Sequence, residues 1–156
     1  MSFEQIKAWF GTIGMEDRVR HFEVSSATVE LAAQAVGTAP AQIAKTLSFL
    51  VDEQPILIVA AGDAKIDNKK YKELFHKKAK MIPPEEVEGL VGHAPGGVCP
   101  FLTHPGVVSY LDRSLQRFEI VYPAAGDARS AVELSPDELS RILPDAEWID
   151  VCKLPE

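Results

Sequence analysis

Three glycines and two prolines fall within the ten residues Gly92-His93-Ala94-Pro95-Gly96-Gly97-Val98-Cys99-Pro100-Phe101. This composition predicts a stiff, bent loop whose backbone can approach a ligand closely and offer N–H groups to a carbonyl oxygen or an anion. About fifty residues upstream a lone lysine, Lys45, stands in the apolar run Ile43-Ala44-Lys45-Thr46-Leu47-Ser48-Phe49-Leu50-Val51, which reads as a buried strand. An ammonium at the mouth of a core strand is uncommon unless it is paired or used. Lysine and loop together suggest a small site with one cation and one backbone cradle. The amides around Gly96 and Gly97 are candidate donors to an oxyanion developing on an acyl group. Lys45 would hold a phosphate or a carbonyl oxygen, or else snorkel to water from a strand edge.

Other residues extend this set, each with a plainer alternative. Thr46 offers a hydroxyl to a substrate or a water, or is an ordinary β-branched strand residue. Gly62 permits close backbone approach. Asp63 could accept from an α-ammonium or merely cap a turn. His93 has the reference pKa of a general base but sits where a turn or wall residue is common. Cys99 lacks an identifiable histidine–acid pair to activate a thiolate, so a small buried hydrophobe lining the pocket is the better reading. His93, Cys99 and His104 fit no zinc-ligand spacing, and no metal or other cofactor is expected.

The elements that would carry these residues can be read from pattern. At 156 residues one domain spanning 1–156 is expected, and apolar and charged fractions of 46% and 25% are those of a soluble globular protein. Nothing resembles a membrane span or a secretory leader, and two cysteines form no disulfide framework, so a cytoplasmic location follows as the expectation. Ser2 and Gln5 form a capping box for a helix with Phe3, Ile6, Trp9, Phe10 and Ile13 on one face, ended by Gly14. Arg20–Val24 reads as a strand, and Ser26 or Thr28 as the cap of a helix ending at Gly37. Lys45–Val51 and Pro55–Ala60 form a hairpin at the centre of a sheet. Asp67 caps a helix through Phe75, Ala79–Ile82 is a strand, and Pro83-Pro84 starts a helix to Val91. Val107–Leu111, Phe118–Tyr122, Ala131–Leu134 and Trp148–Val151 read as strands, with a capped helix from Ser135 to Leu143. The interleaving predicts an α/β fold with a mixed, curled sheet partly closed as a barrel and flanked by helices.

Charge is distributed unevenly. Residues 65–80 hold seven lysines against two acids, a net +5 in a chain whose formal charge is −7, which leaves −12 for the remainder. Such a segment is either a solvated helix face or a docking face for a phosphate backbone, with Lys65, Lys69, Lys70 and Lys72 as candidate contacts.

With the segments in place, the chain resembles the YbaK/ProX family of free-standing aminoacyl-tRNA deacylases, related to the editing domain inserted in bacterial prolyl-tRNA synthetases. The resemblance runs from about Phe22 to Leu143. It rests on the Lys-Thr-Leu strand start at Lys45, the Ala61-Gly62-Asp63-Ala64 break, the loop ending Gly96-Gly97-Val98-Cys99-Pro100, the Tyr122-Pro123-Ala124-Ala125-Gly126 turn and Val132-Glu133-Leu134. It implies hydrolysis of the ester between a wrong amino acid and the terminal ribose of a tRNA, without metal or organic cofactor. It also implies that Lys45 is a site residue and that the glycine loop holds the aminoacyl carbonyl end. In members acting on cysteinyl-tRNA the substrate's own thiol attacks the ester; in others a water does. Those cysteine-specific members carry an aspartate two residues before the Glu-Leu pair, where this chain has Ala131 beside Ser130. Ser130 is a candidate to supply part of that polar contact.

The leading expectation is therefore a trans-editing hydrolase for tRNA mischarged with a small amino acid such as Cys, Ala, Ser or Thr. The acceptor end would lie along the 65–80 segment. Its partners would be the aminoacylated tRNA end and a possible aminoacyl-tRNA synthetase, with neither a membrane nor DNA involved. Two rivals remain: a binding module that keeps the pocket without turnover, favoured by Ala131, and a hydrolase of small esters or thioesters.

Overall fold

The computed structural model describes residues 2–155. Ser2 opens helix α1 (Phe3–Thr12) with the reciprocal cap expected: its hydroxyl accepts from the Gln5 amide, and its own amide donates to the Gln5 side chain at 2.9 Å. Strand β1 (Val19–His21) follows, then helix α2 (Val29–Val36), capped by Thr28 and closed by Gly37. A 3-10 turn, Pro40–Gln42, delivers the chain into β2 (Ile43–Val51). Asp52 and Glu53, both at positive φ, turn it back into β3 (Gln54–Ala61). Two positive φ values in a two-residue loop mark the turn that matches strand twist. Next come β4 (Lys65–Ile66), α3 (Asn68–Phe75) capped by Asp67, α4 (Pro84–Val91), and, after the glycine loop, β5 (Val108–Asp112). The chain ends with β6 (Tyr122–Pro123), β7 (Ser130–Val132), α5 (Pro136–Ile142), β8 (Glu147–Ile149) and β9 (Cys152–Lys153).

The main sheet has the order β6-β2-β3-β5-β8, with β2–β3 antiparallel and the other pairs parallel. Two ribbons, β1–β7 and β4–β9, complete it, and a bridge between Val121 and Leu134 joins the first ribbon to the β6 edge. The sheet is mixed and curled, as the sequence predicts, and the Lys45 hairpin lies at its centre. Every residue of β3 from Ile56 to Ala61 is buried. Leu57 packs with Ile82, Val87 and Val91 under α4, whereas Ile56 and Ile58 belong to the larger core that contains Ile6 and Phe10 of α1. A strand covered on both faces reads as an uninterrupted apolar run, and this one does. None of the described helices is long and apolar enough to cross a membrane.

Several expected strands are corrected. Arg20–Val24 shortens and begins one residue earlier, at Val19. Ala79–Ile82 forms only one bridge, Met81 to Phe49, although the Leu50 amide donates to the Lys80 carbonyl and the Ile82 amide to the Ser48 carbonyl. Pro83 then ends the pairing because it has no N–H to give. Phe118–Tyr122 shrinks to β6, since Arg113–Arg117 winds into a 3-10 helix capped by Asp112. Trp148–Val151 divides into β8 and β9 because the Val151 amide donates to Asp112 Oδ1 at 2.9 Å rather than to a neighbouring strand.

Asp112 is thus a structural carboxylate. It is 1% exposed and accepts from the Ser114 and Val151 amides, both at 2.9 Å. Truncating it leaves two buried donors without an acceptor. We expect Asp112→Ala to lower unfolding free energy by about 2–5 kcal/mol, at ~1–3 kcal/mol per orphaned group, and Asp112→Asn by less, measured by urea denaturation.

Candidate functional site

Lys45 is the third residue of β2 and lies opposite Ala60, near the end of β3. Just beyond that end the chain turns through Gly62-Asp63-Ala64, and the Lys45 ammonium donates to the carbonyls of Gly62, at 3.3 Å, and Ala64. No carboxylate neutralises it among the described residues. Burial is the largest influence on its pKa and pulls it below the ordinary lysine value; Cys152 and Asp63 oppose this, and Lys65 adds to it.

Lys45 and Gly96 line the same cavity, of about 180 Å³. The remaining wall comes from Thr46 beside the lysine, Val98 of the loop, the chain entering α2 (Ser26–Val29), Tyr122 and Ala124 around β6, and Ser130 and Ala131 of β7. Lys45 is the one charged residue in this lining. The Thr46 hydroxyl oxygen is buried and has no hydrogen-bond partner among the described residues. The volume is below the ~300–1,000 Å³ of drug-sized sites.

The loop is pinned from below. His93 is fully buried and its Nε2 lies 2.7 Å from the Phe101 carbonyl, which can only accept, so Nε2 carries the proton. Phe101 meets Phe10 of α1 edge-on at 4.9 Å between ring centroids, which fixes the far end of the loop to the first helix. Cys99 is also fully buried, 3.5 Å from His93 Nε2, and burial pushes its thiol up to about 12. Neither His93 nor Cys99 reaches the cavity, and a thiol so protonated is not a nucleophile at neutral pH. The Gly97 amide donates to the Ala94 carbonyl at 3.0 Å, which leaves Gly96 and Val98 as the loop amides beside the cavity. Gly97 serves instead as a packing point: a Cβ there would lie 2.6 Å from the Asp127 backbone.

Gly62 is a second point of close approach. A Cβ on it would stand 2.0 Å from the Pro40 carbonyl and 2.7 Å from Val29 of α2. Asp63 does not face the cavity; it forms a forked pair with Arg117, whose hydrogen bond is the main reason its carboxyl pKa is lowered. Ser130 does line the cavity but is held by the backbone, accepting from the Ala125 amide and donating to the Asp127 carbonyl. Its own amide donates to Ser26 Oγ at 3.0 Å, tying the entry of α2 to β7.

The lysine-rich segment is not one face. Lys65, Lys69 and Lys72 are exposed, whereas Lys70 is tethered to Asp150 and to the Cys152 carbonyl, each at 3.0 Å. Lys77 pairs with Asp52 in the β2–β3 turn, at the other end of the strand from Lys45. Sequence reasoning missed the contribution of Ser26–Val29, Tyr122 and Ala124; the Thr28 cap was the available signal, since a helix start presents free amides.

The profile of the aminoacyl-tRNA editing domain matches residues 23–142, the stretch that carries every wall of this cavity. The chain belongs to that family. The resemblance read from the motifs is therefore borne out. Among editing-domain relatives, the chain is 52% identical over 155 residues to the uncharacterized protein YwhH of Bacillus subtilis (strain 168), covering 98% of each. It is 25% identical to a proline–tRNA ligase of Streptococcus equi subsp. equi (strain 4047), matching all of this chain but only 25% of the ligase. The fold superposes on the crystal structure of a candidate trans-editing enzyme for prolyl tRNA synthetase with a TM-score of 0.86 and 30% identity, over 97% of this chain and 96% of that one.

Because Gly62 supports both the Lys45 seat and the start of α2, Gly62→Ala should disturb stability and site together. We expect a loss of about 1–3 kcal/mol, the usual cost of overpacking, read by thermal melting. A chemical-shift perturbation confined to Asp63 and its sequence neighbours, without change in residues 26–46, would contradict this coupling.

Proposed function

We propose that this editing domain hydrolyses the ester linking a small amino acid, such as Cys, Ala, Ser or Thr, to the 3′ end of a mischarged tRNA in the cytoplasm. The observation that carries the reading is the single small cavity shared by the Lys45 ammonium and the glycine-loop backbone. An aminoacyl ester is already activated, so the requirements are positioning and stabilisation of developing negative charge. A lysine has three N–H donors; with two directed to the Gly62 and Ala64 carbonyls, the third is available to a phosphate or acyl oxygen. In this reading the Gly96 and Val98 amides, on the two loop residues that line the cavity, would be the donors to the oxyanion. Thr46, with an unmatched buried hydroxyl, would orient the amino acid or the attacking group.

No cysteine, histidine or acid lines the cavity. With no histidine or carboxylate in the lining to activate the hydroxyls of Ser26, Thr28, Thr46 or Ser130, a water or the substrate's own side chain would be the nucleophile, and the protein's part would be to align it with the carbonyl carbon. Ala131 leaves the β7 wall small and uncharged, and the walls of Ala27, Ala32 and Ala124 limit side-chain size. Methylene-level discrimination in such a pocket is worth ~1–3 kcal/mol, so graded rates across Ala, Ser, Thr and Cys esters are expected rather than an absolute choice.

A deacylation assay across a panel of mischarged tRNAs tests the reading directly. Lys45→Ala should reduce kcat/KM on the best substrate by about 10²–10³, the scale set by loss of one oxyanion-type contact; full activity in this variant rejects the site.

The pH profile gives a further check. A lysine whose pKa is lowered by burial loses its proton earlier than an exposed one as pH rises. If the charged ammonium anchors the substrate, catalysed hydrolysis, corrected for background hydroxide attack, should decline on the alkaline side before ordinary lysines titrate. A profile identical for wild type and Lys45→Arg would remove that role.

A further inference from the structure

Building on the reading that an aminoacylated RNA end enters beside Lys45, we propose that the RNA phosphates leave the cavity over the β4–β9 ribbon, across Lys65, Lys153 and Arg113, and not along α3 toward Lys77 and Lys78. The ribbon pairs Lys65 directly with Lys153. Two like charges at opposed positions of an antiparallel pair repel and destabilise it. Both side chains are exposed, and among the described residues neither forms an ion pair. Asp67, whose carboxyl feels the Lys153 charge, is occupied as the α3 cap, accepting from the Lys69 and Lys70 amides. Such a pair is relieved by a bound anion.

The ribbon adjoins both the cavity and a second, cationic cleft. Lys65 follows the Gly62–Ala64 turn that seats Lys45, and its charge contributes to the lowered Lys45 pKa. On the other side, a cleft of about 510 Å³ is lined by Lys70, Arg113, Arg117 and Lys153. Of the acids in it, Asp112 is buried under two backbone amides, and Asp150 is shared between Lys70 at 3.0 Å and Arg113 at 3.7 Å. Positive charge thus continues from Lys45 through Lys65 and Lys153 to Arg113, on a chain that is otherwise acidic. A flexible single strand with regularly spaced phosphates fits that line, and recognition of unpaired ends is the usual mode for RNA.

The alternative route starts farther from Lys45 than Lys65 does. Lys77 sits at the β2–β3 turn, six residues of strand beyond Lys45, or about 20 Å at ~3.3 Å per residue. Its charge is partly met by Asp52 at 3.2 Å. Lys65 and Lys70 therefore lie at the β4–β9 ribbon and Lys77 at the β2–β3 turn, although the lysines look contiguous in sequence.

The test is equilibrium binding of uncharged tRNA and of a short acceptor-stem hairpin ending in CCA, by fluorescence anisotropy over a salt series. The double variant Lys65→Glu/Lys153→Glu should bind roughly tenfold or more weakly, with the log–log salt slope reduced by about 0.7 for each single-strand phosphate no longer engaged. Lys77→Glu/Lys78→Glu should match wild type within about twofold, since no phosphate is assigned there. Lys65→Gln/Lys153→Gln, which removes charge without reversing it, should show the same fall in slope and guards against misfolding of the Glu pair. Unchanged binding in both ribbon variants overturns the track while leaving the deacylase reading intact. RNA binding that responds to the ribbon variants in a protein that cleaves no aminoacyl-tRNA supports the track and sinks the catalytic reading. A wild-type protein that binds no RNA, or one in which polyglutamate of equal charge competes as well as RNA, overturns the proposal.

Discussion

A lysine ammonium at the edge of an apolar core must be held by something other than water. Here two backbone carbonyls do the holding, those of Gly62 and Ala64, at the point where β3 ends. The carbonyls can converge on Lys45 because the chain bends sharply there, and the bend fits only because Gly62 has no side chain to collide with Pro40 and Val29. Carbonyls stabilise the charge without cancelling it. A carboxylate in their place would have closed an ion pair and removed the attraction for an incoming oxyanion or phosphate. Asp63, one residue away, is instead drawn outward by Arg117. The sharing of neighbours matters as much as the lysine itself: one acid is turned to an arginine so that one cation remains available.

The chemistry of the site was legible in the sequence wherever it was written in locally unusual residues. A lone lysine in a run of Ile, Ala, Leu, Phe and Val, and a loop with three glycines and two prolines, stand out against any background. That they share a site was suggested by those residue types and strengthened by the family resemblance, not by periodicity. What the sequence hid was of two kinds. Cys99 reads correctly as a small buried hydrophobe, but that it and His93 lie against Phe101 rather than in the cavity wall depends on α1 docking its aromatic face from the far end of the chain, which no local pattern encodes. The β4–β9 ribbon is two residues per strand, too short for any alternation to register, and it joins residues nearly ninety apart. The same blindness made residues 65–80 look like one basic patch, because charge is counted along the chain and the β2–β3 hairpin separates its two ends in space.

Two of the strand corrections share a cause. A backbone amide expected to join a ladder found another acceptor or was absent. Val151 donates to Asp112, and Pro83 has no N–H. Propensity anticipates that a segment is extended, but whether it is a strand is decided by which acceptor its amides meet. Asp112 in turn fixes where β9 begins, and so places Lys153 opposite Lys65.

The cavity walls divide by origin. The cation and the loop amides come from β2 and the segment after α4, both anchored in the central core, whereas the surface that would measure an amino-acid side chain comes from the entry to α2 and the turn between β6 and β7. Those two outer pieces are laced to each other by the reciprocal Ser26–Ser130 bonds and are also seated on the lysine strand, since β6 pairs with β2 at Ile43 and Ala44 and α2 packs on Ile43. A change of side chain near 27, 124 or 131 is therefore transmitted to the strand that carries Lys45, so the part of the pocket that sets its width and the part that holds its charge cannot drift independently.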